Sequence, residues 1–312
     1  MVKPVASWIE KERFHGKAVR CLTVILRTRG CYWQRCLMCG FSYASDSRIG
    51  LEELKEQIDE AVRDKEFEVL KIFTSGSFFD AREVPPEFRE YLYSLMRSMS
   101  VKKLIVESRP EFVKDEALKE LASMPFEAEV GIGLETSNDF IRENCINKGF
   151  TFEDFVRAAE KLKDYGVRVK AYLLLKPPFL SEGEAIEDAI RSSMDVAEYA
   201  DIISLNLMYI PSNTYVERLW QRNLYRPPWL WSAIEVLRQV RSEGIEIMCD
   251  PVAAGSERGP HNCRKCDRDV AMAIKEFSLS QNVADLDVSC DCVHIWQRVV
   301  ELERYSRLPL VR

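Results

Sequence analysis

Up to Ile210 the chain alternates apolar β-like runs with segments of helical period, and that alternation leaves few architectures open. The runs "RCLTVIL" (20–26), "VLKIFTS" (69–75), "KKLIVES" (102–108), "AEVGIGLE" (128–135), "VRVKAYLLL" (167–175) and "DIISLNLMYI" (201–210) are nearly continuous in Val, Ile and Leu. Strands of this kind are buried on both faces, as in a parallel sheet covered by helices. The segments between them carry helical punctuation. Prolines open "PPEFREYLYSLMRSM", and Gly166 closes "TFEDFVRAAEKLKDYG". The pattern predicts an α/β fold, a partial (β/α)6 barrel over residues 1–215. Beyond it, "TYVERLWQRNLYRPPWLWSAIEVLRQVRSEG" reads as two helices broken at Pro227–Pro228, followed by a short strand, "IEIMCDPV", and then a Cys-containing loop and closing helices. Residues 216–312 are thus expected to form a helical, cysteine-containing C-terminal extension.

The formal net charge is −6, so the chain as a whole repels polyanions; any nucleic-acid binding must come from a local basic patch or from a partner. No apolar run is long enough to span a bilayer, and the opening "MVKPVASWIEKERFHGK" lacks the apolar core of a signal peptide, which together predict a cytoplasmic protein without membrane contact. Ten cysteines are many for such a chain. Their grouping at 31/36/39, 263/266 and 290/292 favours metal or cluster ligation over disulfides in a reducing compartment. Cys21 and Cys145 stand alone and read as small buried hydrophobes.

In barrel-like parallel α/β folds, chemistry gathers in the loops that follow the strands. After the first predicted strand come Cys31, Cys36 and Cys39, within nine residues. Three thiolates hold three irons of a [4Fe–4S] cluster and leave the fourth open, whereas a closed electron-transfer cluster takes four. The C-x4-C-x2-C spacing also begins the plant-type [2Fe–2S] pattern, and a zinc site with a fourth ligand from elsewhere is a third option. "TSGSFFD", with Gly76, follows strand two, and strand three ends in "ESRPE", with Glu107 and Arg109. Strand four ends at Glu135 in "GLETSND", strand five at Lys176 in "LLLKPP", and strand six carries Asn206. A guanidinium at 109 suits a carboxylate.

Taken together, "RGCYWQRCLMCG", the Gly-Ser turn, "ESRPE", "GLET" and "GPHNCRKCD" resemble the radical S-adenosylmethionine (SAM) superfamily. The resemblance is to its Elongator-like, tRNA-acting branch, and most closely to the radical enzymes of archaeosine synthesis. The triad is one residue longer than the superfamily's commonest C-x3-C-x2-C, and Met38 stands where an aromatic is usual. The resemblance implies that Cys31, Cys36 and Cys39 hold a [4Fe–4S] cluster whose open iron takes SAM. Implied cofactor contacts fall at Met38, at the Gly76–Ser77 backbone edge and at Glu107, Arg109, Glu135, Lys170 and Asn206, with Lys176 toward the substrate. The implied substrate is a lysine-conjugated 7-deazaguanine in tRNA, made by a partner lysine transferase. Cleavage of the lysine C–N bond would leave archaeosine. The alternatives are a different radical modification of tRNA, by methylthiolation or of the Elongator kind, and a non-catalytic zinc- or iron–sulfur-binding subunit.

The tail holds a second constellation. Cys263 and Cys266 form a C-x2-C half-site, with His261 beside them, Cys249 upstream, and Cys290 and Cys292 downstream. The expectation is a zinc ion or auxiliary iron–sulfur cluster on Cys249, Cys263 and Cys266, with a fourth ligand from His261, Cys290 or Cys292. Nearby, Arg218, Arg222 and Arg226 interleave with Trp220, Tyr225, Trp229 and Trp231. Such a composition suits RNA backbone contact and base stacking, or a helix pair packing its aromatics inward.

Overall fold

The computed structural model describes residues 2–311, apart from the side chain of Ser42. In chain order its elements are β1 (Ala6–Phe14), β2 (Lys17–Ile25), α1 (Leu51–Val62), β3 (Val69–Phe73), α2 (Pro86–Ser98), β4 (Lys103–Ser108), α3 (Asp115–Ala122) and β5 (Glu127–Glu135). There follow α4 (Asp139–Ile141), α5 (Phe152–Asp164), β6 (Arg168–Leu175), α6 (Glu182–Val196), β7 (Ile202–Leu207) and α7 (Tyr215–Gln221). The chain closes with α8 (Leu230–Ser242), β8 (Ile247–Asp250), α9 (Asp267–Ser280) and α10 (Val293–Ser306). The fold is α/β. Its strands lie in one eight-stranded sheet in the order β1-β2-β3-β4-β5-β6-β7-β8, the sequential winding of a βα barrel type and not the reversed order of a doubly wound sheet. β2 to β5 are parallel, as are β7 and β8.

The six expected strands are present, and the sheet gains one at each end. β8 is the short strand foreseen after the helix pair. β1 was not foreseen. It pairs antiparallel with β2 through a two-residue turn at His15 and Gly16, whose φ angles of 48° and 74° meet the type I′ requirement. Its sequence, "ASWIEKERF", has no apolar run because Glu10 and Glu12 face partners on other strands.

By contacts the chain divides into two compact units. One comprises the chain up to Gln34, Phe41–Gly133 and Glu153–Lys170; the other comprises Arg35–Gly40, Leu134–Phe152 and the chain from Ala171 onward. In the first unit Leu22, Val24, Leu70, Ile72, Leu104 and Val106 bury one face of the strands. On the opposite face the register sets Thr23, Lys71, Ile105 and Glu129 abreast. Here a chain of ion pairs crosses the interior. Lys103 and Lys170 each reach Glu129 at 2.6 Å, Lys170 lies 3.8 Å from Glu12, and Lys71 pairs with Glu12 and, at 2.9 Å, with Glu10. The core of the second unit includes Ile146, Leu174, Met208, Ile210, Val216, Leu219 and Tyr225. Among the described residues no helix is long and apolar enough to cross a membrane.

Candidate active site and a second thiol cluster

The loop after β2 is held at its root by α1. The Gln57 side chain accepts from the Arg27 N–H at 2.7 Å and donates to the Arg27 carbonyl at 3.0 Å. Next along, the Thr28 hydroxyl donates to Glu83 at 2.6 Å. Glu83 is buried, and its carboxylate also accepts the backbone N–H groups of Ser75, Gly76 and Ser77 at 2.8, 3.0 and 2.7 Å. Burial pushes this carboxyl above its ordinary value against the pull of four donors. One side chain thus ties the approach to Cys31 to the turn after β3. The two backbones meet closely there: a Cβ on Gly76 would lie 2.8 Å from Cys31 Cα, so only glycine fits. Sequence reading found Gly76 but not Glu83. The available signal was an acid a few residues after a Gly-containing strand end, too common a pattern to single out.

Cys31 is half-buried in the first unit. In the second unit Cys36 and Cys39 are half-buried and share a turn closed by Cys39 N–H to Cys36 carbonyl at 3.2 Å. Leu37 pins that turn, donating to the Ile146 carbonyl at 2.9 Å and accepting from Tyr215 N–H at 3.1 Å. Met38 packs on the apolar cluster around Ile146 and Met208. A Cβ on Gly40 would lie 2.6 Å from Pro211 Cβ, so this end of the loop also requires glycine. Cys31, Cys36 and Cys39 are each partly exposed, and thiolates are the donors that iron–sulfur clusters take.

The other strand-end residues are engaged as follows. The Glu107 carbonyl accepts from Phe78 N–H at 2.8 Å. Arg109 N–H donates to the Ser77 hydroxyl at 2.9 Å, and its guanidinium donates to Glu111 at 2.7 Å while lying 5.4 and 5.6 Å from the Tyr32 and Trp33 rings. Arg109 is therefore braced against the residues that follow Cys31. Glu135 closes β5 with φ 71° and takes Lys148 at 2.6 Å; Lys176 follows β6 with φ 65° and meets Glu182 at 2.6 Å and Glu303 at 3.7 Å. A long side chain in the left-handed region costs on the order of 1–3 kcal/mol, and such strain collects at functional sites. A cavity of about 290 Å³ opens beside Lys176, bounded by Tyr225, Arg226, Glu303, Arg307 and Leu308. Asn206 is half-buried on β7, in register with Asp250. Lys170 lies within its strand, buried against Glu129 and Glu12, so its charge is taken up by the interior ion pairs.

Arg218 and Arg222 are exposed at α7. Arg226 is buried: its guanidinium donates to the carbonyls of Pro227 at 2.8 Å and His261 at 2.7 Å and lies 4.3 Å from the Trp229 ring. Tyr225, Trp229 and Trp231 are buried too, so this segment packs its aromatics inward.

In the tail, Cys263, Cys266, Cys290 and Cys292 bring their sulfurs within 4.8 Å of one another. Burial pushes the Cys263 thiol up, but the Lys265 and Cys266 amides and neighbouring thiols bring it down to about 7; burial pushes Cys266 up to about 11. Cys249 is not in this group. It is buried on β8, where its N–H donates to the Ser278 hydroxyl at 2.9 Å and its carbonyl accepts from the same hydroxyl at 2.8 Å. His261 is also outside it, with Nδ1 against the Gly259 carbonyl at 2.8 Å, and burial together with Arg226 brings its imidazole down to about 4.

The Radical SAM superfamily profile matches residues 25–191, over half of the chain. Archaeosine synthase subunit beta of Methanosarcina acetivorans is 48% identical over 320 residues, covering 97% of this chain and 92% of that protein. The archaeosine synthase subunit beta of Thermococcus kodakarensis is 41% identical, covering 94% of this chain and 96% of that protein. Among solved structures, a queuine lyase from Clostridium spiroforme bound to SAM and queuine superposes with a TM-score of 0.51 at 22% identity. That match covers 70% of this chain and 89% of the other and is a likeness of fold.

Proposed function

The chain belongs to the radical SAM superfamily and, within it, to the family of archaeosine synthase beta subunits, and from that premise we propose that it cleaves the lysine C–N bond of a lysine-conjugated 7-deazaguanine in tRNA, leaving archaeosine. The observation that carries the reading is the triad itself, three partly exposed thiols within nine residues, the first of them packed against Gly76. Cys31, Cys36 and Cys39 would hold the cluster, which with bound SAM supplies a 5′-deoxyadenosyl radical. To the chain itself we assign binding and orientation. Arg109, its guanidinium braced by Glu111 and by the Tyr32 and Trp33 rings, offers a fixed cation for the methionine carboxylate. Glu135 serves the ribose hydroxyls, and the turn at Gly76 and Ser77 serves the methionine amino group. We assign the catalytic region to residues 1–215, inside which the superfamily match lies, and the extension to 216–312.

The relatives are named as beta subunits, which implies a partner. A chain of net charge −6 binds a polyanion weakly alone, since phosphate contacts dominate such affinity. We therefore assign the main RNA-binding surface to a lysine-transferase partner, with Arg218 and Arg222 adding local contacts. The test supplies lysine-modified tRNA, reductant and SAM, with and without the transferase, and analyses nucleosides by mass. Archaeosine is expected, and more of it with the partner. If 5′-deoxyadenosine forms and archaeosine never does, the radical chemistry stands and the substrate assignment fails.

A second expectation concerns Glu83. Glu83→Ala strands three backbone donors and Thr28, each buried unpaired donor costing about 1–3 kcal/mol. The variant should melt at lower temperature and bind less iron after reconstitution, because both the approach to Cys31 and the turn behind it lose their common anchor. Undiminished iron content and an unchanged melt would show that Glu83 is not that anchor.

A further inference from the structure

Two separate loops of the extension bring four thiols together. Cys263 Sγ lies 3.8 Å from Cys266 Sγ and 3.7 Å from Cys290 Sγ, and Cys266 Sγ lies 3.6 Å from Cys292 Sγ. We propose that these four sulfurs bind one zinc ion in a tetrahedral site, and that this ion holds α10 so that Glu303 stays against Lys176. Zinc–sulfur bonds of about 2.3 Å in a tetrahedron give sulfur–sulfur edges of about 3.8 Å, and the three separations match that edge. A [4Fe–4S] cluster places each thiolate on a different iron, which spreads the sulfurs well beyond the span of a single ion.

The surroundings suit thiolates. Trp231 Nε1–H donates to Cys292 Sγ at 3.2 Å, and Asn262 Nδ2–H donates to Cys266 Sγ at 3.5 Å, the outer hydrogen bonds that orient metal-bound sulfur. Cys266 immediately precedes α9 and Cys292 immediately precedes α10, each a helix of 14 residues, so two positive helix ends sit at the cluster. Position explains the role. α10 begins at the ion and carries Glu303 near its far end, where Glu303 accepts from Glu182 N–H at 3.1 Å and lies 3.7 Å from Lys176 Nζ. Trp296 of the same helix donates to Ser232, whose hydroxyl donates in turn to Glu182 at 2.5 Å. The cavity beside Lys176 therefore has a wall whose placement depends on the four sulfurs.

Elemental analysis of the anaerobically purified holoenzyme should find about one zinc and about four irons per chain. The triple Cys31→Ala, Cys36→Ala, Cys39→Ala variant should keep the zinc and lose the iron. Cys290→Ser combined with Cys292→Ser should lose the zinc and keep the iron, with hydrogen exchange along α10 rising at least tenfold. Should that variant fail to fold, the triad variant produced in cobalt medium reads the site without it: a tetrahedral tetrathiolate cobalt spectrum is the expected result. About eight irons and no zinc would overturn the single-ion site in favour of a second cluster. A zinc-free triad variant with no cobalt spectrum would overturn metal binding altogether, and unchanged α10 exchange in the zinc-free protein would overturn the tether. None of these measurements uses tRNA, so the proposed substrate stands or falls separately.

Discussion

Protein carrying Cys31→Ala, Cys36→Ala and Cys39→Ala together is expected to purify without its triad iron and to form no 5′-deoxyadenosine above background from SAM and reductant. The loss should be complete and not partial, because three thiolates anchor three of the four irons and leave one open, and with all three removed no protein ligand of the triad remains to hold the cluster. The fold should survive. The loop is held by Gln57 on Arg27, by Glu83 on Thr28 and by Leu37 between Ile146 and Tyr215, none of which involves a cysteine side chain. Iron analysis, visible absorption and product assay read the effect, with thermal melting as the control for folding. SAM cleavage persisting in the triple variant would place the cluster elsewhere. Alanine is the better replacement, since a serine oxygen retains some capacity to ligate.

The second large effect is on stability. Glu129 is buried and is the common partner of Lys103 and Lys170, each at 2.6 Å. Glu129→Ala would leave both ammonium groups in the interior without it, and breaking a buried pair in this way costs about 3–5 kcal/mol. Denaturant unfolding at neutral pH measures the loss, and a change below about 1 kcal/mol would mean that water reaches the lysines and screens them. The same carboxylate predicts an acid response. Burial alone would raise its pKa, but Lys170 and Lys103 outweigh burial and bring it down to about 2, against about 4.3 in an unfolded chain. A depressed folded value means that its stabilisation is fully present above pH 4.3 or so and drains away as pH falls toward about 2. Glu129→Gln should lack that part of the acid sensitivity.

That ion-pair chain also marks where sequence reading stopped. Lys170 stood out as a charge inside an apolar strand and was expected at the cofactor. Its partners, Glu12 and Glu129, lie on strands far from it in the chain, and no local pattern connects them. The same blindness hid β1, an edge strand with Glu12 buried, Glu10 half-buried and most other residues partly or fully exposed, which reads as a solvated segment. Arg226 shows the converse. Beside Arg218 and Arg222 it looked like a third exposed cation, yet carbonyls of Pro227 and His261 enclose it.

What the sequence determined by itself was everything set by local order. Continuous apolar runs specify parallel strands, the glycine at 76 permits close backbone approach, and three cysteines within nine residues define a donor set wherever their loop goes. Only the tertiary structure decided which distant groups meet. Cys249 lies nearer in sequence to Cys263 than Cys290 and Cys292 do, yet the later pair joins it, because α9 carries the chain away and the following loop returns it to where α9 began. Local chemistry is written residue by residue, whereas pairing across such a distance depends on how helices and strands pack, and that is a property of the whole folded chain.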